Sequence, residues 1–283
     1  MNDKDTLLII DGHNLLFQMF YGMPSRIVNA QGKAIQGVIG FVGALIRIIK
    51  QTAPTHLVVL FDGEHENPRT ELLPEYKNNR IDYSKVEEED NPFSQLEDVY
   101  RALDNMKVVH CETTGVETDD VIASYAFRYG KIMRLVISSW DSDFFQLITD
   151  KVSVLRYRGK CTTICDVEYL KNKFQIVPEQ YADFKSLVGD SADNIKGAEK
   201  IGPKTASDLL QKYGSLENVL VHAEEIGRKA VRESIIKNTQ RLRVNYEIIR
   251  LNDSAALPFS IEELEYNYNG IKTNDVLHDI GLI

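Results

Sequence analysis

Two short apolar runs in this chain end on the same dipeptide. Leu7-Leu8-Ile9-Ile10 runs into Asp11-Gly12, and Leu57-Val58-Val59-Leu60-Phe61 runs into Asp62-Gly63. Aliphatic runs without polar alternation are the signature of strands buried on both faces, as in a parallel sheet. Between them, residues Gln36 to Gln51 place Val38, Phe41, Leu45, Ile46 and Ile49 on one side of a helix. Strand, helix, strand predicts a βαβ unit. Both aspartates then fall at the C-terminal ends of strands, the edge at which open α/β sheets bind ligands. A third run, Leu135 to Ile137, predicts a strand that delivers Asp141 and Asp143 to the same edge.

Acids concentrate between Gly115 and Asp143, where Glu117, Asp119, Asp120, Asp141 and Asp143 occur. If Glu117 opens a helix, Glu117 and Asp120 share a face at i, i+3, with Asp119 about 100° round from Asp120. Downstream, Val152 to Tyr157 and Cys161 to Cys165 predict a hairpin turned at Arg158-Gly159. A long excursion, Glu64 to Cys111, separates the second strand from the acidic helix. It starts basic and aromatic (Arg69 to Arg80), turns acidic at Glu87 to Asp90, and ends in a helix from about Pro92 to Met106. A connection this long in a compact domain is functional or disordered. After Phe174 the pattern changes to short helices, with a glycine turn at Gly202 whose exposed N–H groups suit a phosphate backbone.

At 283 residues the chain has room for one α/β domain and a smaller lobe. The net charge of −9 argues against a polyanionic partner only superficially, because residues 228–250 carry seven basic and two acidic side chains, a local +5. The acidic N-terminus is unlike a signal peptide, and the longest apolar stretch, Val38 to Ile46, is too short to span a bilayer. A soluble cytoplasmic protein with no membrane partner is expected. Three cysteines, Cys111, Cys161 and Cys165, are an odd count without zinc spacing, which predicts reduced structural thiols.

Seven motifs in order resemble the bacterial and phage 5′ nuclease family, which comprises flap endonucleases and 5′–3′ exonucleases. They are I-D-G-H-N (Ile10 to Asn14), F-D-G (Phe61 to Gly63), P-E-Y-K-N-N-R (Pro74 to Arg80), G-V-E-T-D-D (Gly115 to Asp120), S-S-W-D-S-D (Ser138 to Asp143), V-G-D-S-A-D-N-I (Val188 to Ile195) and I-G-P-K-T-A (Ile201 to Ala206). The resemblance implies a central, twisted, mostly parallel sheet flanked by helices, a PIN-like 5′ nuclease core, over residues 1–175. It implies a helical arch over residues 64–111 and a helical DNA-binding lobe over residues 176–283, with a helix-hairpin-helix at residues 185–215. No polymerase follows Ile283, so the stand-alone members are the expected comparison. Three residues depart from the pattern: Lys196 stands where proline is frequent, and Trp140 and His13 stand where small residues are common. Trp140 is open between substrate contact and simple packing.

By the same resemblance Asp11, Asp62, Glu117, Asp119, Asp120, Asp141, Asp143, Asp190 and Asp193 are the metal-site acids. So many carboxylates at one edge need counter-ions, and hard divalent cations with oxygen ligands, two Mg²⁺ or Mn²⁺, meet that need. Two such ions clamp a scissile phosphodiester. Asp62, Glu117 and Asp119 would favour one ion, with Asp11 and Asp120 acting through water. Asp141, Asp143, Asp190 and Asp193 would favour the other, Asp190 and Asp193 from one helical turn. Lys77 and Arg80, i, i+3 on one helix face, would serve the scissile phosphate, and Tyr76 would stack on a base or pack. Lys196, Lys200, Gly202 and Lys204 would grip duplex DNA, with K⁺ held at the turn. The expected function is a structure-specific nuclease acting as a monomer on DNA with a 5′ flap, nick or 5′ end. The alternatives are a DNA-junction binder without catalysis, or a PIN-type ribonuclease, for which the duplex-gripping turn has no use.

Overall fold

The computed structural model describes residues 5–63 and 69–283. Among these, six strands form one sheet in the order β3-β2-β1-β4-β5-β6. They are β1 (Thr6–Asp11), β2 (His56–Asp62), β3 (Val109–Thr113), β4 (Arg134–Ser138), β5 (Val152–Arg156) and β6 (Thr163–Cys165). The first five are parallel, and β6 returns antiparallel to β5 as the expected hairpin.

Alternate residues of β1 explain the layering. Leu8 and Ile10 enter a core with helices α1 (Gly12–Gly22), α2 (Gln36–Thr52) and, further along the chain, α4 (Leu96–Asn105). Leu7 and Ile9 enter a second core on the opposite face, under helix α5 (Thr118–Tyr129). Strand β1, like most of β2, is therefore wet on neither face, which is why its sequence lacks alternation. The twice-used Asp-Gly has a steric reason at its second copy, because a Cβ on Gly63 would lie 2.3 Å from the carbonyl oxygen of Thr113.

The second core continues into the C-terminal half. There α6 (Val167–Phe174), α7 (Tyr181–Val188), α8 (Pro203–Tyr213), α9 (Leu216–Val221) and the long α10 (Lys229–Ile249) pack on one another and on the sheet. Helix α11 (Thr273–Asp279) closes the first core with Val276 and Leu277. No described helix is long and apolar enough to cross a membrane.

Four expectations need correction. The excursion is helical only in part, since its described portion holds the four-residue α3 (Arg69–Leu72), turns, three short 3-10 segments and α4. Its first residues, 64–68, lie outside the described chain. Lys77 and Arg80 share no helix face, because Lys77 sits in the left-handed region (φ 56°) within a run of turns. Asp190 and Asp193 do not share a helical turn either. Gly189 adopts φ 88°, which ends α7, and a hairpin follows, β7 (Gly189–Asp190) to β8 (Ile195–Lys196). Tyr76 is not poised for a base, since it is only 7% exposed and packs with Ala182, Ile195, Ile248 and Ile249.

Candidate active site

From β1 the sheet grows through β2 to β3 on one flank and through β4 on the other. The crevice of such a sheet opens at this reversal, outside the C-terminal ends of β1 and β4. A ladder of hydrogen bonds spaces the acids there. Asn14 N donates to Asp11 Oδ1 at 3.1 Å and Ser139 Oγ donates to Asp11 Oδ2 at 2.7 Å. Asp141 N donates to Ser139 Oγ at 3.0 Å, and Asp143 N to Asp141 Oδ1 at 2.8 Å. From β2, Asp62 Oδ1 accepts the N–H of Thr118 at 3.1 Å, capping α5 and bringing Glu117 and Asp119 alongside.

Crowding shows in the protonation equilibria. Burial, reinforced by Asp62 and Asp141, pushes the Asp11 carboxyl up to about 7. Asp119 is raised well above the carboxylate range by burial and then by Asp141. Burial works against ionised Asp62 too, but the hydrogen bonds from Thr118, with His13 and Lys77, hold it below its ordinary value. Glu117 is likewise held down, against burial, by Lys77 and Arg69.

Asp143, Asp190 and Asp193 form the second group, each offering an oxygen within 4.8 Å of the others. Between them lies a residue the sequence did not single out. Lys185, 6% exposed on α7, is ion-paired to both Asp143 and Asp190. Burial still pushes the Asp143 carboxyl to about 7. Breaking a buried pair from one side costs about 3–5 kcal/mol. Lys185→Met is therefore expected to lower the unfolding free energy by an amount in that range, moving the urea midpoint down, and added Mg²⁺ should recover more stability in the variant than in the parent. An unchanged midpoint would mean that the three acids need no internal cation.

Residues Pro74 to Arg80 bridge both groups. Lys77 Nζ lies 2.6 Å from Glu117 Oε1, and Arg80 Nη2 lies 2.9 Å from Asp193 Oδ1. Three further bonds dock this segment on the β7–β8 turn: Lys77 N to Asp193 O (3.1 Å), Asn79 Nδ2 to Ser191 O (3.0 Å) and Asn194 Nδ2 to Glu75 O (2.9 Å). Arg69 pairs with Glu117 and Asp120 and donates to the carbonyl of Ile248 at the end of α10. Asp120 also accepts from Asn252 N at 2.9 Å, so its carboxylate is committed to holding the excursion and α10 together.

The result is one pocket of about 860 Å³. Asp11, Asp62, Glu112, Asp119 and Asp141 line it together with Lys77 and Arg80, and Phe17, Tyr83 and Phe93 supply apolar lining. His13 joins that lining and accepts the Asp62 N–H at Nδ1 (3.2 Å), which fixes its proton on Nε2. Glu117, Asp120, Asp143, Asp190 and Asp193 do not line this pocket, and each is ion-paired with Arg69, Lys77, Arg80 or Lys185. Lys196, Lys200, Gly202 and Lys204 are all exposed, around the β8–α8 turn.

The model of the 5′-3′ exonuclease N-terminal, resolvase-like domain matches residues 6–175, and that of the 5′-3′ exonuclease C-terminal SAM fold matches residues 176–271. The chain belongs to the 5′-3′ exonuclease family. DNA polymerase I of Thermus thermophilus is 32% identical over 289 residues, covering 99% of this chain and 34% of that protein. The chain thus spans about a third of the curated relatives it matches. In structure it resembles a zinc-bound bacteriophage T5 5′-exonuclease (TM-score 0.72, 23% identity, 97% of this chain and 99% of that one). It also resembles a bacteriophage T5 flap endonuclease in a complex with DNA and metal ions (TM-score 0.70, 23% identity, 97% of each chain). These likenesses show a PIN-like nuclease core with a SAM-like helical domain.

Proposed function

We propose that this protein is a Mg²⁺-dependent, structure-specific DNA 5′ nuclease that works as a monomer on flaps, nicks or free 5′ ends. The observation that carries the reading is the pocket itself, which gathers five carboxylates, Glu112 among them, with Lys77 and Arg80 at the switch point of the sheet. The donors are all carboxylate oxygens and Asp143, Asp190 and Asp193 converge within 4.8 Å, which fits hard divalent cations. When bound, a pair of such ions supplies an activated water and neutralises the leaving oxygen. Asp62, Glu117 and Asp119, with Asp11 behind them, would hold one ion, and Asp141, Asp143, Asp190 and Asp193 the other.

The protein's own groups do the rest. Lys77 and Arg80 orient the phosphate and offset its charge. His13, neutral because burial lowers its basicity, keeps Asp62 at the edge through the backbone N–H. A 5′-flap duplex incubated with Mg²⁺ should yield 5′-phosphate products and none with EDTA. Tight binding without cleavage would favour the junction-binding alternative.

The turn between β8 and α8 is assigned to duplex DNA through Lys196, Lys200, Lys204 and the N–H groups near Gly202, the N-cap of α8. A K⁺ ion at this turn belongs to the same reading and rests on the family resemblance. Reversing Lys200 and Lys204 to glutamate should weaken flap binding and flatten the log–log salt dependence by about one unit for each phosphate no longer neutralised. Unchanged affinity and slope would place the duplex elsewhere.

A further inference from the structure

We propose that Trp140 is a stacking platform for an unpaired nucleobase beside the phosphate in the pocket, with the β5–β6 hairpin binding the adjoining backbone. This rests on the nuclease reading above. Trp140 is 38% exposed, yet three hydrogen bonds fix it. Its N–H donates to Asn14 Oδ1, its indole Nε1 to Tyr157 O, and its carbonyl accepts Arg156 Nη2, all at 2.9 Å. Both Asn14 and the next residue, Asp141, line the pocket. The ring is therefore an apolar surface held rigid and partly uncovered at the rim of the carboxylate cluster. An aromatic side chain ordered in advance loses little entropy when a flat partner arrives.

Charge selects the partner. From Lys151 to Cys165 the chain has four basic residues and no acidic one, in a protein of net charge −9. Arg158 and Lys160 are exposed at the hairpin turn, one and three residues beyond the carbonyl that holds the indole. The Arg156 guanidinium lies over the Trp140 ring, 5.6 Å from its centroid. An exposed aromatic ring flanked by cations is the composition of single-strand recognition, where any base can stack and the cations follow the phosphates. The edge of β5–β6 thus adds a contact that is independent of the Lys77 segment and of the duplex-binding turn.

Trp140 is the single tryptophan in the chain, so its emission reports this contact alone. In EDTA, excited at the red edge of its absorption, it should be quenched as a 5′-flap duplex binds, with binding followed separately by anisotropy of a labelled flap. An abasic nucleotide next to the scissile phosphate should restore the emission while anisotropy still reports a complex. Trp140→Ala should raise KM for flap cleavage about tenfold, the scale of removing one base–aromatic stack, with a smaller change in kcat. Trp140→Phe, which keeps a ring but loses the indole N–H, should stay near the parent, whereas a purely structural tryptophan would be as sensitive to Phe as to Ala. Binding without a change in emission, or equal quenching by the abasic flap, overturns the platform. Those wild-type measurements decide the question even if the alanine variant misfolds. Absence of any flap binding by anisotropy, with non-catalytic Ca²⁺ as well as in EDTA, would instead remove the nuclease reading, and the platform with it.

Discussion

Asp62→Asn should cut single-turnover cleavage of a 5′-flap duplex by roughly a thousandfold, about 4 kcal/mol of barrier, at every Mg²⁺ concentration. Asparagine retains an Oδ1 that can accept the Thr118 N–H, so the cap on α5 and the positions of Glu117 and Asp119 survive while the charge is removed. Asp193→Asn should behave differently. Asp193 lies on the β7–β8 turn, shares its site with Asp143 and Asp190, and is already paired with Arg80. Its neutralisation should raise the Mg²⁺ concentration for half-maximal rate before it lowers the plateau. A Mg²⁺ titration of both variants side by side checks this. Normal cleavage by Asp193→Asn at every concentration would remove the second carboxylate group from the active site.

Lys77→Ala is expected to lower the rate on bound flap by about 10²–10³-fold while affinity changes only a few-fold. That is the range for removing one preorganised donor from developing negative charge. Lys77 is well placed for the role, because its ammonium already lies 2.6 Å from Glu117 with 16% of the side chain exposed. A phosphate entering the pocket would take up the same cation without the side chain having to be ordered first. Arg80, with 54% of its side chain exposed, should matter less. Loss of binding in Lys77→Ala with a normal single-turnover rate would assign the lysine to docking.

The strand-end acids are legible because an uninterrupted aliphatic run that stops at Asp-Gly has few structural readings. Strand β3 is not, since Val-His-Cys-Glu-Thr at the sheet edge has no such run. Helix α1 escapes a reading by apolar runs as well, although Asp11 is its N-cap and the residue type carries that signal. The helical turn expected at Asp190 and Asp193 rests on spacing, whereas Gly189 and Asn194, both at positive φ, are turn chemistry and give a hairpin. Lys185 and Arg69 are out of reach for a different reason. In sequence each is one more cation on a short helix. Their burial depends on partners such as Asp143 and Ile248, 42 and 179 residues away, which only the packed fold brings near.

The left-handed residues carry a lesson for engineering. Six non-glycine residues hold positive φ among the described residues, and each sacrifices about 1 kcal/mol that glycine would not. Ala53 and Gln175 do so at the ends of α2 and α6, and Lys107 does so just beyond α4, so glycine at these three offers thermal robustness without touching the cleft. Lys77 and Lys200 hold the same backbone region but carry the cations proposed to meet phosphate, and Asn194 ties the β7–β8 turn to Glu75. At these positions a relaxed backbone and a working enzyme are opposed choices, and evolution toward heat tolerance would have to pass them by.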